Sequence, residues 1–382
     1  MEIIDAANIL EEGGGIQQDL AENRINIGVT QSAIISFLFD VPAPRQRNPR
    51  MGSPTTSTNT FRIPDLLESW PFERRLNPAT DAVKTQNEAW TRSLKLNHGQ
   101  LERALQKAPI TLIAALTCPL VPATSFQTAA DAMTTFLIFD EISDQLSESV
   151  VAGLYEVIED VFEHPDKSRP IGECFIGSLH RSFWNRARQG ATPTFVKHFP
   201  TRYLEYAKST SEQAMHRDES RIPDLTSYMA LRWKTVGGMP SFGVTLHSLN
   251  ISDDELSDPK VRRLESLAQD MLIMANDICS YNVEQSRGDS HNAIAVVMHH
   301  NNLSLQNAID LIAQMFHKSE EEFLTVMETV ESMNDDLCTY VSGLGCWVRG
   351  NFEMSFEIER YGLDGEARRG GLIKLLPKQT SN

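Results

Sequence analysis

Cysteine is scarce and scattered in these 382 residues: there are five, at positions 118, 174, 279, 338 and 346, with no Cys-x-x-Cys pair. That excludes a disulfide framework and a cysteine zinc site, and it suits reduced thiols in a cytosolic chain. Positive charge is also in deficit. Lys and Arg number 35 against 51 Asp and Glu, a formal net charge of −16. Such a chain repels nucleic acid, so no nucleic-acid partner is expected, while a small phosphorylated ligand held by a few arginines and metal ions stays open. No apolar run reaches the roughly 18 residues of a membrane span; the most apolar early stretch, 27–41, is interrupted by Asn, Thr, Gln and Ser. The opening Met-Glu-Ile-Ile-Asp is acidic where a secretory signal is basic, and the expected location is cytoplasmic. A Ser-His-Asp or Cys-His arrangement and a glycine-rich phosphate loop are missing too. Period-two alternation bounded by turn residues is scarce, which argues against a sheet core.

What is present is an ordinary globular composition, 41% hydrophobic and 23% charged, too apolar for wholesale disorder. Length alone allows two or three domains. Residues 1–60 stand apart: Gly13-Gly14-Gly15 breaks the first helical pattern, and 42–60 is rich in Pro, Arg, Asn, Gly, Ser and Thr with little to bury. This composition predicts a flexible extension and linker, because it cannot offset its ordering entropy. Beyond it, helical spacing dominates. Helices are predicted near 125–145, 149–162, 304–333 and 335–361, with another from Asp258-Pro259, a cap followed by a first-turn proline, to Gly288. No period of 20–50 residues repeats, which excludes a solenoid. The expected architecture is one all-α domain over 61–377, with 378–382 as a tail.

Four constellations carry chemistry. In Phe139-Asp140-Glu141-Ile142-Ser143-Asp144, Asp140 and Asp144 are one helical turn apart, roughly 6 Å along the axis. Charges that close repel by roughly 2–3 kcal/mol at an effective dielectric of about 20. A divalent cation relieves that repulsion and oxygen ligands suit Mg²⁺, although the same string also suits a solvated acidic helix end. In Asn276-Asp277-Ile278-Cys279-Ser280-Tyr281-Asn282-Val283-Glu284, the residues Asn276, Ser280 and Glu284 stack three hard oxygen donors along one stripe of roughly 12 Å. The stripe follows the apolar run Met271-Leu272-Ile273-Met274-Ala275; a polar face turned outward is the alternative. Arg360-Tyr361 sets a planar guanidinium beside a phenol, near the end of the last predicted helix, a pair suited to diphosphate oxygens. Arg232 precedes Gly237-Gly238-Met239-Pro240, which predicts a broken helix whose freed backbone groups face a cavity.

From about Phe61 to Pro377 the chain resembles the class I terpene synthases of mushroom-forming fungi that cyclise a fifteen-carbon diphosphate. The resemblance rests on Phe61-Arg62-Ile63-Pro64-Asp65 with Trp70-Pro71, the aspartate motif at Asp140, and the Asn276-Ser280-Glu284 motif continuing to Gly288-Asp289 and His291-Asn292. It extends to the 347–361 block and the closing Leu375-Leu376-Pro377. It implies a helical bundle around a deep apolar pocket, with three Mg²⁺ ions (Mn²⁺ as a substitute) clamping a prenyl diphosphate at its mouth. Asp140 is then a metal ligand supported by Asp144, and Asn276, Ser280 and Glu284 hold the third ion. Arg232 falls where the family keeps its diphosphate-sensing arginine, and Arg360 and Tyr361 bind diphosphate oxygens. Asp140, Arg232 and Arg360 are the catalytic residues on this view. The activity implied is that of a lyase of fungal secondary metabolism, monomeric or homodimeric, converting farnesyl diphosphate to a sesquiterpene.

The chain departs from the family pattern at Glu141, where many members have a second aspartate. It departs again at Val283, where some relatives carry a lysine that Arg287 or Lys234 would replace. The mechanism implied needs no acid–base dyad, since released diphosphate can take the final proton. It does need an apolar, water-free cavity, and Phe136, Phe139, Tyr228, Trp347 and Phe352 are candidates for steering the cation through their ring faces. His299-His300 reads as surface. A chain-elongating prenyltransferase shares the fold but would carry a second aspartate-rich motif where Asn276-Ser280-Glu284 stands. An inactive helical interaction protein would lack one or more of these residues.

Overall fold

The computed structural model describes residues 59–96, 99–169, 172–218, 222–330 and 334–379. The extension assigned to 1–60 lies outside the described residues, apart from its last two. Contacts divide the chain into one unit of 1–54 with 169–175 and a second of 55–168 with 176–382. In the first, Arg169 lies 3.6 Å from Glu173, four residues on. The second holds every residue singled out above for chemistry.

Helices α1 (Thr80–Ser93), α2 (Gly99–Lys107) and α3 (Ile110–Thr117) lead into α4 (Ala123–Ser143), which ends in the aspartate motif. Next come α5 (Glu148–Glu163), α6 (Phe175–Ala187) and α7 (Pro193–Asp218), then α8 (Leu225–Thr235) and α9 (Gly238–Thr245). The longer helices end with α10 (Pro259–Arg287), α11 (Ala293–Asn301), α12 (Leu305–Glu328) and α13 (Asp335–Glu357), and a single turn, Gly365–Arg368, follows. Among the described residues the β structure is one short antiparallel pairing, β1 (Thr60–Phe61) with β2 (Ile373–Lys374), in which Phe61 faces Ile373. The architecture is all-α, as the spacing predicts.

The centre is α10, about 43 Å long at 1.5 Å per residue. It starts as its sequence dictates: the Asp258 carboxylate accepts from the Lys260 amide at 2.8 Å and Pro259 takes the first turn. It stops at Gly288, whose φ of 82° ends the helix in the left-handed conformation that glycine adopts without strain. Between Leu264 and Asn282 it is buried on almost every face, because α12 and α13 pack on it along with α8, α9 and α11. A helix buried on all sides belongs in the middle of a bundle.

Two devices tie the neighbours to this axis. Arg202 of α7 donates to the Glu265 carboxylate of α10 at 2.6 Å and to the Tyr340 hydroxyl of α13 at 2.9 Å, with all three side chains buried. Removing Arg202 or Glu265 would strand a buried charge, a loss of about 3–5 kcal/mol. The segment before α1 straps the outside of α13. The Trp70 indole donates to the Gly345 carbonyl at 3.1 Å, and Arg349 donates to the Phe72 carbonyl at 2.7 Å and the Trp70 carbonyl at 3.0 Å. Asp65 meets Arg368 at 2.9 Å.

The structure moves two helix ends. The helix predicted to 333 stops at Glu328, with 331–333 outside the described residues. The last helix stops at Glu357 rather than at Tyr361, because Ile358 turns extended (φ −108°, ψ 151°) and buries its side chain. Arg360 and Tyr361 therefore sit on a loop, which the positive φ of Gly362, 64°, turns back toward the bundle.

Candidate active site

The two oxygen-donor clusters occupy the same kind of place: the C-terminal end of a helix. Asp140 and Glu141 lie in the last turn of α4 and Asp144 is its C-cap, its amide bonded to the Asp140 carbonyl at 3.0 Å. Asn276, Ser280 and Glu284 climb α10 toward its end at Arg287. A helix C-terminus carries partial negative charge, so carboxylates there are unfavourable until a cation joins them. Both ends are thus built to attract positive charge.

Arg360 and Tyr361 span the two clusters. Arg360 Nη1 donates to Glu141 Oε1 at 2.8 Å, and Nη2 lies 3.5 Å from Asp140 Oδ2. The adjacent Tyr361 hydroxyl accepts from Asn276 Nδ2 at 2.9 Å. Glu357, three residues before Arg360, pairs with Arg74 at 2.9 Å instead. Arg232, in the last turn of α8, reaches the same amide from the other side, donating through Nη2 to Asn276 Oδ1 at 2.7 Å. The structure thus brings Asp140, Arg232, Asn276, Arg360 and Tyr361 into one connected set. Ser280 and Glu284 join it through Asn292, whose Nδ2 lies 2.8 Å from Glu284 Oε2 and 3.4 Å from Ser280 Oγ. Asp144 is the most exposed member.

Two residues that organise this set carry no signal in the pattern of donors. Asp277 points away from the Asn276 stripe and is wholly buried. Its carboxylate takes Arg232 Nε at 3.3 Å, the Tyr228 hydroxyl at 2.5 Å and the Ala293 amide at 2.9 Å. Burial pushes the Asp277 carboxyl up, and the Arg232 guanidinium opposes it. Asn292 caps α11 through Ile294 while its amide also donates to the Asp277 carbonyl at 2.8 Å. The spacing of Asn276, Ser280 and Glu284 marks one face of α10; Asp277 lies on another and Asn292 beyond its end, so although the resemblance extends to Asn292, only packing reveals what the two residues hold.

The donor set fits a hard divalent cation. Among the described residues no three His, Cys, Asp or Glu side chains converge into a closed metal cage. Two open groups of oxygens stand instead, as befits Mg²⁺, which is commonly held by one or two carboxylates together with phosphate oxygens. Burial first, and Asp277 next, push the Glu284 carboxyl up to about 7. The folded chain holds this proton more tightly than the unfolded chain, so stability falls as pH rises from the ordinary 4.5 and levels off above about 7. In chelator, Glu284→Gln is therefore expected to melt a few degrees above the parent at pH 8 and close to it at pH 5. Thermal unfolding at the two pH values checks this; equal melting at pH 8 would remove the argument.

The aromatic candidates divide. Phe139 and Tyr228 are fully buried, and Tyr228 is engaged with Asp277. Phe136 stacks on Tyr203 with centroids 5.0 Å apart. Trp347 packs edge-on to Phe242 at 6.2 Å. Phe352 lies under the Arg368 guanidinium at 4.9 Å, with the strap side of α13. Lys234, one replacement for the cation missing at Val283, faces Glu212 at 3.8 Å on the surface.

Comparisons with known proteins identify the family and the fold. Residues 131–322 match the family model described as terpene synthase family 2, C-terminal metal binding. A Delta(6)-protoilludene synthase of Stereum hirsutum (strain FP-91666) is 35% identical over 328 residues, covering 84% of this chain and 94% of the relative. Sesquiterpene synthase 14 of Postia placenta (strain ATCC 44394 / Madison 698-R) is 33% identical over 323 residues, covering 83% and 92%. Among solved structures, α-eudesmol synthase superposes with a TM-score of 0.68 at 19% identity, covering 76% of this chain and 98% of that one.

Proposed function

The chain belongs to the terpene synthase family, and from that premise we propose that it ionises farnesyl diphosphate with Mg²⁺ and cyclises the cation to a sesquiterpene, releasing diphosphate. The observation that carries this reading is the Arg360-Tyr361 bridge between the acidic end of α4 and the Asn276 stripe of α10. It brings two groups of metal-type oxygens and two arginines to one place, the requirement for holding a diphosphate. In this reading Asp140, with Asp144 in support, holds two of three ions, and Asn276, Ser280 and Glu284 hold the third. Bound there, the ions supply positive charge that stabilises the departing diphosphate.

The chain's own residues do the rest. Arg232 and Arg360 donate to diphosphate oxygens, and both rest on acidic partners, Asp277 and Glu141, that keep them oriented. Arg232 Nη2 donates to the Asn276 oxygen that would also serve a metal. Were that oxygen to hold a metal, Nη2 would be available to donate to the diphosphate, while Nε would keep its hold on Asp277. Tyr361 adds a hydroxyl donor beside Arg360. The helix bundle excludes water from the cation, and released diphosphate accepts the final proton.

Incubating purified protein and Mg²⁺ with geranyl, farnesyl or geranylgeranyl diphosphate, then identifying volatiles by gas chromatography–mass spectrometry, tests the reading. A cyclic fifteen-carbon hydrocarbon from farnesyl diphosphate, lost in chelator, is the expected result. Δ6-protoilludene, named for the Stereum relative, is the first product to seek. Farnesyl diphosphate left intact while another chain length is consumed would overturn the substrate assignment. Longer diphosphates formed on adding isopentenyl diphosphate would favour a prenyltransferase.

A further inference from the structure

The chain break between α8 and α9 lies beside a buried side chain to which neither the metal-donor pattern nor the diphosphate contacts assign a purpose. Gln269 stands on α10, seven residues before Asn276 and roughly two turns below it, with no exposed surface. Its Nε2 donates to the Trp233 carbonyl at 2.5 Å. That carbonyl belongs to the last turn of α8. There the Val236 amide still reaches the Arg232 carbonyl at 2.9 Å, and then Gly237 turns left-handed at φ 74°. Gln269 thus supplies a donor where the helix stops supplying them.

The fit around its amide is close. A Cβ on Gly238 would lie 2.9 Å from Gln269 Cδ and nearer still to Oε1, so no other residue type leaves the notch open. On the far side, a Cβ on Gly237 would lie 3.8 Å from the Tyr206 ring. Every residue of α9 is buried. Gln269 Oε1 and Thr235 Oγ1 are buried with no hydrogen-bond partner among the described residues. Two unpaired acceptors beside one break cost stability and gain none, and groups of that kind concentrate where function requires them.

We infer that Gln269, seated in the Gly238 notch, is a positioning residue that holds the α8–α9 break in one geometry and thereby narrows the product range of the cyclisation proposed above, on which this inference rests. The break is continuous with Arg232, one residue before Trp233, and with the buried wall formed by α9. A shift of Gln269 would therefore move Arg232 and the buried α9 segment together, and in the proposed cyclisation the contour around the cation decides which of its carbons is attacked.

The test uses the full-length parent, Gln269→Met, Gln269→Ala, Gly238→Ala and the double variant Gly238→Ala/Gln269→Ala, with farnesyl diphosphate and Mg²⁺. Product shares, kcat, KM and melting temperature are measured for each. Gln269→Met keeps side-chain volume and removes only the donor. It is expected to hold KM within about threefold and melting within a few degrees while the share of the main product falls about twofold or more. Gly238→Ala should broaden the products in the same way, because the new methyl expels the amide. The double variant should then be no broader than the worse single one, since both changes remove one lock. An active parent whose product shares survive Gln269→Met, or a double variant in which the losses multiply, would overturn the inference. If Gly238→Ala does not fold, Gln269→Met decides alone. A parent inert toward every prenyl diphosphate would overturn the functional reading instead. The lock would then be judged by melting temperature, where the loss in the double variant must be smaller than the two single losses combined.

Discussion

Arg360→Lys is expected to lower kcat/KM about 100-fold or more while leaving the melting temperature without ligand within a few degrees of the parent. The charge is conserved, but the planar fork that meets two oxygens at once is not. In the unliganded chain Arg360 already uses that fork, with Nη1 on Glu141 and Nη2 toward Asp140. Its side chain is 31% exposed. A partly solvated ion pair contributes about 1 kcal/mol or less to stability, and an ammonium can still make a version of it. Diphosphate recognition is different, because a lysine reaches one oxygen where the guanidinium reaches two. The stabilisation gained on adding Mg²⁺ and diphosphate should shrink accordingly, since a weaker complex shifts the folding equilibrium less. Early-terminated hydrocarbons and alcohols should rise as water enters a poorly closed site. Thermal unfolding with and without Mg²⁺-diphosphate, alongside steady-state kinetics, reads both effects. If Arg360 only ties its loop to α4, Arg360→Lys will keep most of its activity, and Arg360→Ala will melt lower with or without ligand.

Asp140→Asn should cut turnover about 100- to 1,000-fold with its helical circular dichroism intact, in line with removing one group that stabilises developing charge. The side chain is 42% exposed at the end of α4, so its loss leaves no cavity and strands no buried charge. Glu141 remains to hold Arg360 at 2.8 Å. What disappears is a carboxylate for the metal, and the negative end of α4 alone does not replace it. Ser280→Ala offers the matching test on α10. Its hydroxyl is 2% exposed and lies 3.4 Å from Asn292 Nδ2, which keeps its 2.8 Å contacts to Glu284 and to the Asp277 carbonyl. The fold should therefore tolerate the change while activity falls comparably. Turnover within about threefold of the parent in either variant would remove that residue from the metal assignment.

By itself the sequence determined whatever depends on neighbours along the chain. Asp258-Pro259 and Gly288 delimit α10 because capping and left-handed turns are local chemistry. The stripe of Asn276, Ser280 and Glu284 was legible because helical periodicity alone puts those residues on one face. Gly237-Gly238 before Pro240 announced the break between α8 and α9 for the same reason. The pairings that complete the site are of another kind. Arg360 meets Glu141 across 219 residues rather than Glu357, three positions away, because the chain turns extended at Ile358 and carries the loop back over α4. Asp277 became the anchor of Arg232 only when α8 packed on α10 and closed water away from both. Gln269 reads in sequence as one more polar residue on a long helix; its place beneath the break is set by the room that the bare Cα of Gly238 leaves for its side-chain amide. Local periodicity fixes which residues share a face, but which faces meet is decided by the burial of apolar surface over the whole bundle, and that sum is not contained in any short stretch of chain.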